Sequence, residues 1–131
     1  MEPLDAAAFG VSRQELVQAL AQESCCALVL ESEPGRLAGY GLLRTGSQGL
    51  YLGPVTAMSA DGGLRLVEVL LAWSEGQKIF WDIPDANTAA VSYAEQSGFT
   101  VQRPLTRMFL GENFAPGEPL HQFALTGPET G

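Results

Sequence analysis

The sequence has 131 residues, of which 46% are hydrophobic and 17% charged, and its net charge at pH 7 is −8. This length and composition are typical of one soluble globular domain, so we expect a single domain over residues 1–131. Seven Lys and Arg stand against 15 Asp and Glu. Because such a surface repels phosphate backbones, the composition argues against a nucleic-acid partner.

The sequence carries no signal for a membrane or a metal. No apolar run approaches the roughly 18 residues that a membrane span needs, and MEPLDAAAFG lacks the basic-then-apolar pattern of a secretory signal. We therefore expect no membrane partner and a cytoplasmic location. Cys25 and Cys26 are adjacent, a spacing that supports neither a disulfide framework nor a zinc site, so no metal is expected.

The first half of the chain is predicted to form one helix and three strands. Residues 12–23 have helical periodicity, with Ser12 as a candidate N-cap. The apolar runs 25–31 and 37–44 are joined by SEPGR and predict a hairpin. A third strand over 50–58 contains Gly53-Pro54. Because proline cannot donate to a ladder, that strand must be bulged, split or unpaired there.

The second half is predicted to alternate helices and strands. A helix over 64–76 is followed by a strand over 78–84, a helix that begins at Asn87 and ends at Gly98-Phe99, and strands over 100–111 and 120–127. A helix that links the third and fourth strands predicts that these strands are parallel. The pattern indicates an α/β fold with a mixed sheet covered on both faces.

This order resembles the GNAT superfamily of acetyl-CoA-dependent N-acetyltransferases, through the stretches VTAMSADGGLRLVEVLL and NTAAVSYAEQSGF. The stretches GYGLLR, LGPVTA and WDIPDAN look more like the divergent second domain of two-domain GNAT proteins. The resemblance implies a GNAT-like fold whose central strands splay apart at Gly53-Pro54. It also implies that the usual N-terminal strand and helix are lacking, because only MEPLDAAAFGV precedes the first predicted helix.

The resemblance implies acetyl-CoA as the cofactor, with pantetheine between the third and fourth strands and the diphosphate at the start of the following helix. The candidate cofactor-binding residues lie on the third strand after the bulge, on the loop and helix start that follow, and at the start of the next helix; they are Val55, Thr56, Ala57, Asp61, Gly62, Gly63, Leu64, Arg65 and Asn87. Two features depart from the family's phosphate loop. Ser59 stands where the family has Gln or Arg, and Asp61 brings a carboxylate that equally suits a helix N-cap.

The catalytic residues are less well marked. Counted from Asn87, the family's general-acid tyrosine falls on Ala94, whereas Tyr93 lies one residue earlier, about 100° around the helix. Tyr93 is the candidate general acid. Asp82 is the candidate general base, because it follows the fourth strand at the carboxyl end where open α/β sheets bind ligands; hydrogen bonding to a turn suits it equally. His121 is expected to have a structural or surface role.

Two functions remain open. One is an acyltransferase that moves an acetyl group from acetyl-CoA directly to an amine of a small molecule or peptide. The other is a catalytically degenerate GNAT-like module that binds CoA or a partner without turnover, as Ala94 and Asp61 suggest; an unrelated α/β binding domain is a third possibility. An uncovered sheet edge tends to pair with another chain, so we expect a homodimer or a tandem GNAT domain.

Overall fold

A computed structural model describes residues 1–128. The elements in chain order are α1 (Glu2–Phe9), α2 (Gln14–Glu23), β1 (Ser24–Glu33), β2 (Arg36–Thr45), β3 (Leu50–Ala57), α3 (Ala60–Trp73), β4 (Ile79–Trp81), α4 (Thr88–Gln96), a 3-10 turn (Pro119–His121) and β5 (Gln122–Ala124). The last three residues of the predicted 1–131 domain lie outside the described residues.

The strands form one mixed sheet, which confirms the predicted fold class. Its order is β1-β2-β3-β4, antiparallel except for the parallel pair β3 and β4, and β5 also pairs with β3. Strands β3 and β4 pair only where Leu50–Leu52 of β3 align with Ile79–Trp81 of β4. Beyond Gly53-Pro54, Val55 and Thr56 pair with β5 instead. The central strands therefore diverge at Gly53-Pro54, as the family resemblance implies.

The N-terminal stretch is a helix that the sequence analysis did not assign. Helix α1 has a proline in its first turn and ends at Gly10, whose φ of 100° is the left-handed conformation common at helix ends. The predicted N-cap Ser12 was wrong, because α2 begins after Arg13 and the Ser12 hydroxyl donates to a Glu2 carboxylate oxygen.

Helix α3 begins four residues earlier than the predicted start at residue 64. Its N-cap is Ser59, whose Oγ accepts a hydrogen bond from the Gly62 amide at 3.2 Å. Asp61 lies in the first turn, so the alternative prediction of Asp61 as N-cap was wrong. Serine is one of the preferred N-cap residues, and its position before Ala60 was the available sequence signal for the earlier start.

The C-terminal part of the chain differs most from the prediction. Residues 100–111, predicted to be a strand, have no regular secondary structure, and the predicted strand 120–127 is reduced to β5 and the preceding 3-10 turn. Strand formation depends on partners as well as on propensity. Strand β4 spans only Ile79–Trp81, so it offers a very short ladder to a following strand.

The main core lies between α3 and the sheet. Strand β5 contributes the aromatic side chain of Phe123 to this core. Phe123 is fully buried, together with Leu52 and Leu70. A Cβ on Gly63 would come within 2.3 Å of the Phe123 ring. The glycine therefore lets α3 approach the ring closely, and the packing of β5 depends on it.

A buried polar cluster joins the two ends of the chain. Asp5 is 1% exposed and accepts hydrogen bonds from Arg13 at 2.7 and 3.0 Å and from the Tyr40 hydroxyl at 2.5 Å. Arg13 also donates to the Thr126 hydroxyl at 2.8 Å. Burial, and then the neighbouring Asp5 carboxylate, raise the pKa of Tyr40 far above its usual value.

We expect alkaline pH to destabilise the protein partly through Tyr40. An unfolded tyrosine ionises near pH 10, whereas the raised pKa keeps buried Tyr40 neutral. The stabilisation that results is complete below about pH 10 and is lost as the pH rises above it. Urea unfolding between neutral and alkaline pH should show a shallower decline in Tyr40→Phe than in the wild type. An unaltered slope in Tyr40→Phe contradicts this assignment.

We expect Gly63→Ala to lower the free energy of unfolding by about 1–3 kcal/mol, because the added methyl group overpacks against Phe123. The penalty should be smaller in a Phe123→Leu background, where the ring is absent. A double-mutant cycle measured by urea unfolding tests this coupling. Equal penalties in both backgrounds would show that the Phe123 contact is not the cause.

Candidate functional site

The residues predicted to bind pantetheine lie where β3 leaves β4. Val55, Thr56 and Ala57 are each at most 2% exposed. Val55 aligns with Ala124, and Thr56 with Gln122, so β5 runs along this edge. In this conformation the edge is closed to another added strand and does not fit pantetheine. Pairing of pantetheine with these residues stays a prediction, and it requires β5 to move away.

Strand β5 is also held from the β4 side of the gap. The Trp81 indole N–H donates to the Phe123 carbonyl at 2.8 Å. The Leu125 amide donates to the Asp82 carbonyl, also at 2.8 Å. Strand β5 thus contacts both of the diverging strands, and it fills the space between them.

Asn87 connects α4 to the segment that leads into β5. It is 2% exposed, and its Oδ1 accepts from the Ala90 amide at 3.1 Å, which confirms that it is the N-cap of α4. Its Nδ2 donates to the carbonyls of Leu120 and Gln122 at 3.2 and 2.9 Å. Both amide hydrogens are thus used within the chain. A role of Asn87 in cofactor binding stays a prediction.

The start of α3 is the predicted diphosphate site. The amide of Gly62 donates to the Ser59 hydroxyl and that of Gly63 to the Ser59 carbonyl, the latter at 3.0 Å. Within residues 1–128, the amides of Ala60 and Asp61 donate to no acceptor. The backbone amides of Ala60 and Asp61 are therefore the donors that an anion could meet at the positive end of the helix dipole. The exposed Asp61 carboxylate lies beside them.

The two remaining residues of the predicted phosphate site follow in the second turn of α3. Leu64 is half-buried and packs against the main core, and Arg65 is exposed. Of the two, Arg65 alone has a side chain that can meet an anion. Binding of a diphosphate at this helix start stays a prediction.

Asp82 and Tyr51 come together where β3 and β4 separate. Asp82 directly follows β4, and its Oδ2 accepts a hydrogen bond from the Tyr51 hydroxyl. Tyr51 aligns with Phe80 across the parallel pair, and the guanidinium of Arg44 lies 5.1 Å from the Tyr51 ring centroid. Sequence reasoning missed the pairing of Asp82 with Tyr51. It follows from the register of the parallel strands, which the sequence did not specify.

A cavity of about 460 Å³ opens beside Tyr51 and Phe80. Its other walls are the β2–β3 turn, residues 46–49, and the side chains of Gln102 and Arg103. This volume lies within the range of small-molecule sites. The cavity therefore offers a place for a small ligand on the side of the sheet that Tyr51 faces.

In the described part of the chain, the candidate general acid, Tyr93, neither contacts the pair of Asp82 and Tyr51 through a hydrogen bond nor lines the cavity. Tyr93 is half-buried and packs against the main core, and no hydrogen bond within residues 1–128 joins its hydroxyl to Asp82. Ala94, at the family's tyrosine position, is 7% exposed. His121 is half-buried in the 3-10 turn before β5. Catalytic roles for Tyr93 and Asp82 stay predictions.

The described part of the chain has no cluster of three or more His, Cys, Asp or Glu side chains arranged to hold a metal ion. Both cysteines there are free. No helix among residues 1–128 has the length and hydrophobicity that crossing a bilayer requires.

We expect Asn87→Ala to destabilise the protein by about 2–3 kcal/mol, because it removes a helix cap and two buried hydrogen bonds to the β5 segment. Asn87→Ser retains a capping hydroxyl but lacks the two donors, so its loss should be smaller. Hydrogen exchange should show faster opening of residues 120–124 in both variants. Wild-type exchange of that segment in Asn87→Ala would contradict the assigned role.

Comparisons with known proteins agree with this architecture. The family model described as an acetyltransferase (GNAT) domain matches residues 1–124. The chain is 31% identical over 127 residues to the uncharacterized N-acetyltransferase YitH of Bacillus subtilis strain 168. The alignment covers 97% of this chain but 44% of that relative, so the chain spans less than half of the relative's length. On the family match and the divergent central strands, the chain belongs to the GNAT acetyltransferase family.

Proposed function

We propose that the chain transfers an acetyl group from acetyl-CoA to an amine of a small molecule or peptide, by direct transfer. The observation that carries this proposal is the divergence of β3 from β4 after Leu50–Leu52, beside the start of α3 at Ala60. Membership of the acetyltransferase family supports it. Acetyl-CoA supplies the activated acyl group, and a strand-like approach to Val55 requires β5 to leave the β3 edge.

The residues near the divergence suit deprotonation of an amine. Asp82 is half-buried at the carboxyl end of β4, and the Tyr51 hydroxyl donates to its carboxylate. That hydrogen bond orients Asp82, and an acceptor in the 460 Å³ cavity would lie beside Tyr51. Asp82 is the carboxylate proposed to take the proton of the attacking amine, directly or through water.

A second candidate function is that of a GNAT-like module without turnover. The position of β5 between β3 and β4 favours this function. Backbone pairing with β3, the Trp81 indole and the Asn87 amide all hold the β5 segment in the gap. Ala94 also supplies no acid where the family has tyrosine. Such a module would keep the fold and use its surface for assembly.

Calorimetric titration with acetyl-CoA separates acetyl transfer from a module that binds only a partner. The double variant Trp81→Phe with Gln122→Leu removes one hydrogen bond between β5 and β4 and one between β5 and α1, since Gln122 Nε2 donates to the Ala8 carbonyl at 2.6 Å. We expect the wild type to bind and the variant to bind more tightly, because β5 is easier to displace. An absence of binding to both proteins, with the fold intact by circular dichroism, would contradict acetyl transfer and support the second candidate.

We expect Asp82→Asn to lower kcat/KM about 100-fold at neutral pH, because the amide cannot accept the amine proton. Asp85 is the matched control, since it is an exposed carboxylate on the same β4–α4 connection. Steady-state kinetics with an amine panel should show near wild-type rates for Asp85→Asn. Equal rates for the two variants would exclude Asp82 as the base.

A further inference from the structure

The segment formed by residues 100–111 exposes a series of large apolar side chains. Their exposed fractions run from 49% to 103%, and the residues are Val101, Leu105, Met108, Phe109 and Leu110. The segment has no regular secondary structure, although its composition is strand-like. Exposed apolar side chains that are concentrated in one segment make that segment a candidate interaction surface.

The charge of this segment is opposite to that of the chain. It contains Arg103 and Arg107 and no Asp or Glu, whereas the whole chain has a net charge of −8. The two arginines are four residues apart, so on an extended strand they lie on one face, with Leu105 and Phe109. A partner that matches this face is acidic and apolar.

Strand β1 presents such a surface. It lies at the end of the sheet, and in the described part of the chain only β2 pairs with it. Its exposed residues alternate along the strand, and they include Cys25, Val29, Glu31 and Glu33. An edge strand ten residues long without proline or lysine is open to pairing with another chain.

We propose that the segment 100–111 of one copy adds as an antiparallel strand to the β1 edge of a second copy, so that two identical contacts form a symmetric dimer. With Arg103 opposite Glu31, the alternation places Leu105 opposite Val29 and Phe109 opposite Cys25. One register thus pairs a cation with an anion and apolar side chains with one another. A twofold axis repeats the contact and covers both exposed segments and both β1 edges. This inference does not rest on the proposed activity.

Sedimentation equilibrium tests the dimer. We expect the wild type to reach about twice the chain mass of 13.9 kDa. The variant Leu105→Ser with Phe109→Ser should be monomeric, and it should keep its thermal stability because both side chains are at least 49% exposed. A monomeric wild type overturns the proposal, and that is also the outcome expected if a different domain covers the segment.

Charge exchange tests the pairing of the segment with β1. Arg103→Glu and Glu31→Arg should each weaken the dimer about tenfold, since each places like charges opposite one another. The two changes together should restore most of the affinity. Glu95→Arg, at an exposed acid on α4, is the matched control and should have no such effect. A wild-type dimer unaffected by Arg103→Glu, or one that the double exchange does not restore, would contradict this interface.

Discussion

One edge of β3 pairs with two strands in turn. The arrangement of the rest of the molecule depends on the point where pairing with β4 ends and pairing with β5 begins. Over Leu50–Leu52 the edge pairs with β4, and at Val55 and Thr56 it pairs with β5. The change takes place across Gly53-Pro54. Proline has no amide hydrogen to donate, so a ladder is interrupted there in any case. The strands separate at that interruption, and the gap between them is the candidate site.

The packing around this gap gives a structural role to several residues that sequence motifs would assign to ligand binding. Gly63 makes room for the Phe123 ring, and the Ser59 hydroxyl accepts a hydrogen bond from the Gly62 amide at the start of α3. Asn87 caps α4 and holds the approach to β5. A cofactor that binds along this edge of β3 must displace β5. The same contacts therefore determine both the stability of this chain and the access to its site.

The order of helices and strands predicted the mixed sheet, and local signals predicted the interruption of β3 at Gly53-Pro54 and the start of α4 at Asn87. These two signals depend on the chemistry of neighbouring residues, namely a missing amide hydrogen and a short capping side chain. The divergence of the strands was implied by the family resemblance. The position of β5 and the pairing of Asp82 with Tyr51 depend on contacts between distant parts of the chain. Residues 100–111 have strand propensity but no strand partner among residues 1–128, so propensity alone gave the wrong result there.

Strand β5 occupies the gap between β3 and β4. Nuclear Overhauser contacts in solution can detect this position, because Val55 and Ala124 align across the antiparallel pair. We expect a strong backbone contact between these two residues in the absence of acetyl-CoA, and a loss of that contact when acetyl-CoA is added in excess. A free protein in which Val55 and Ala124 show no contact would rule out this position of β5.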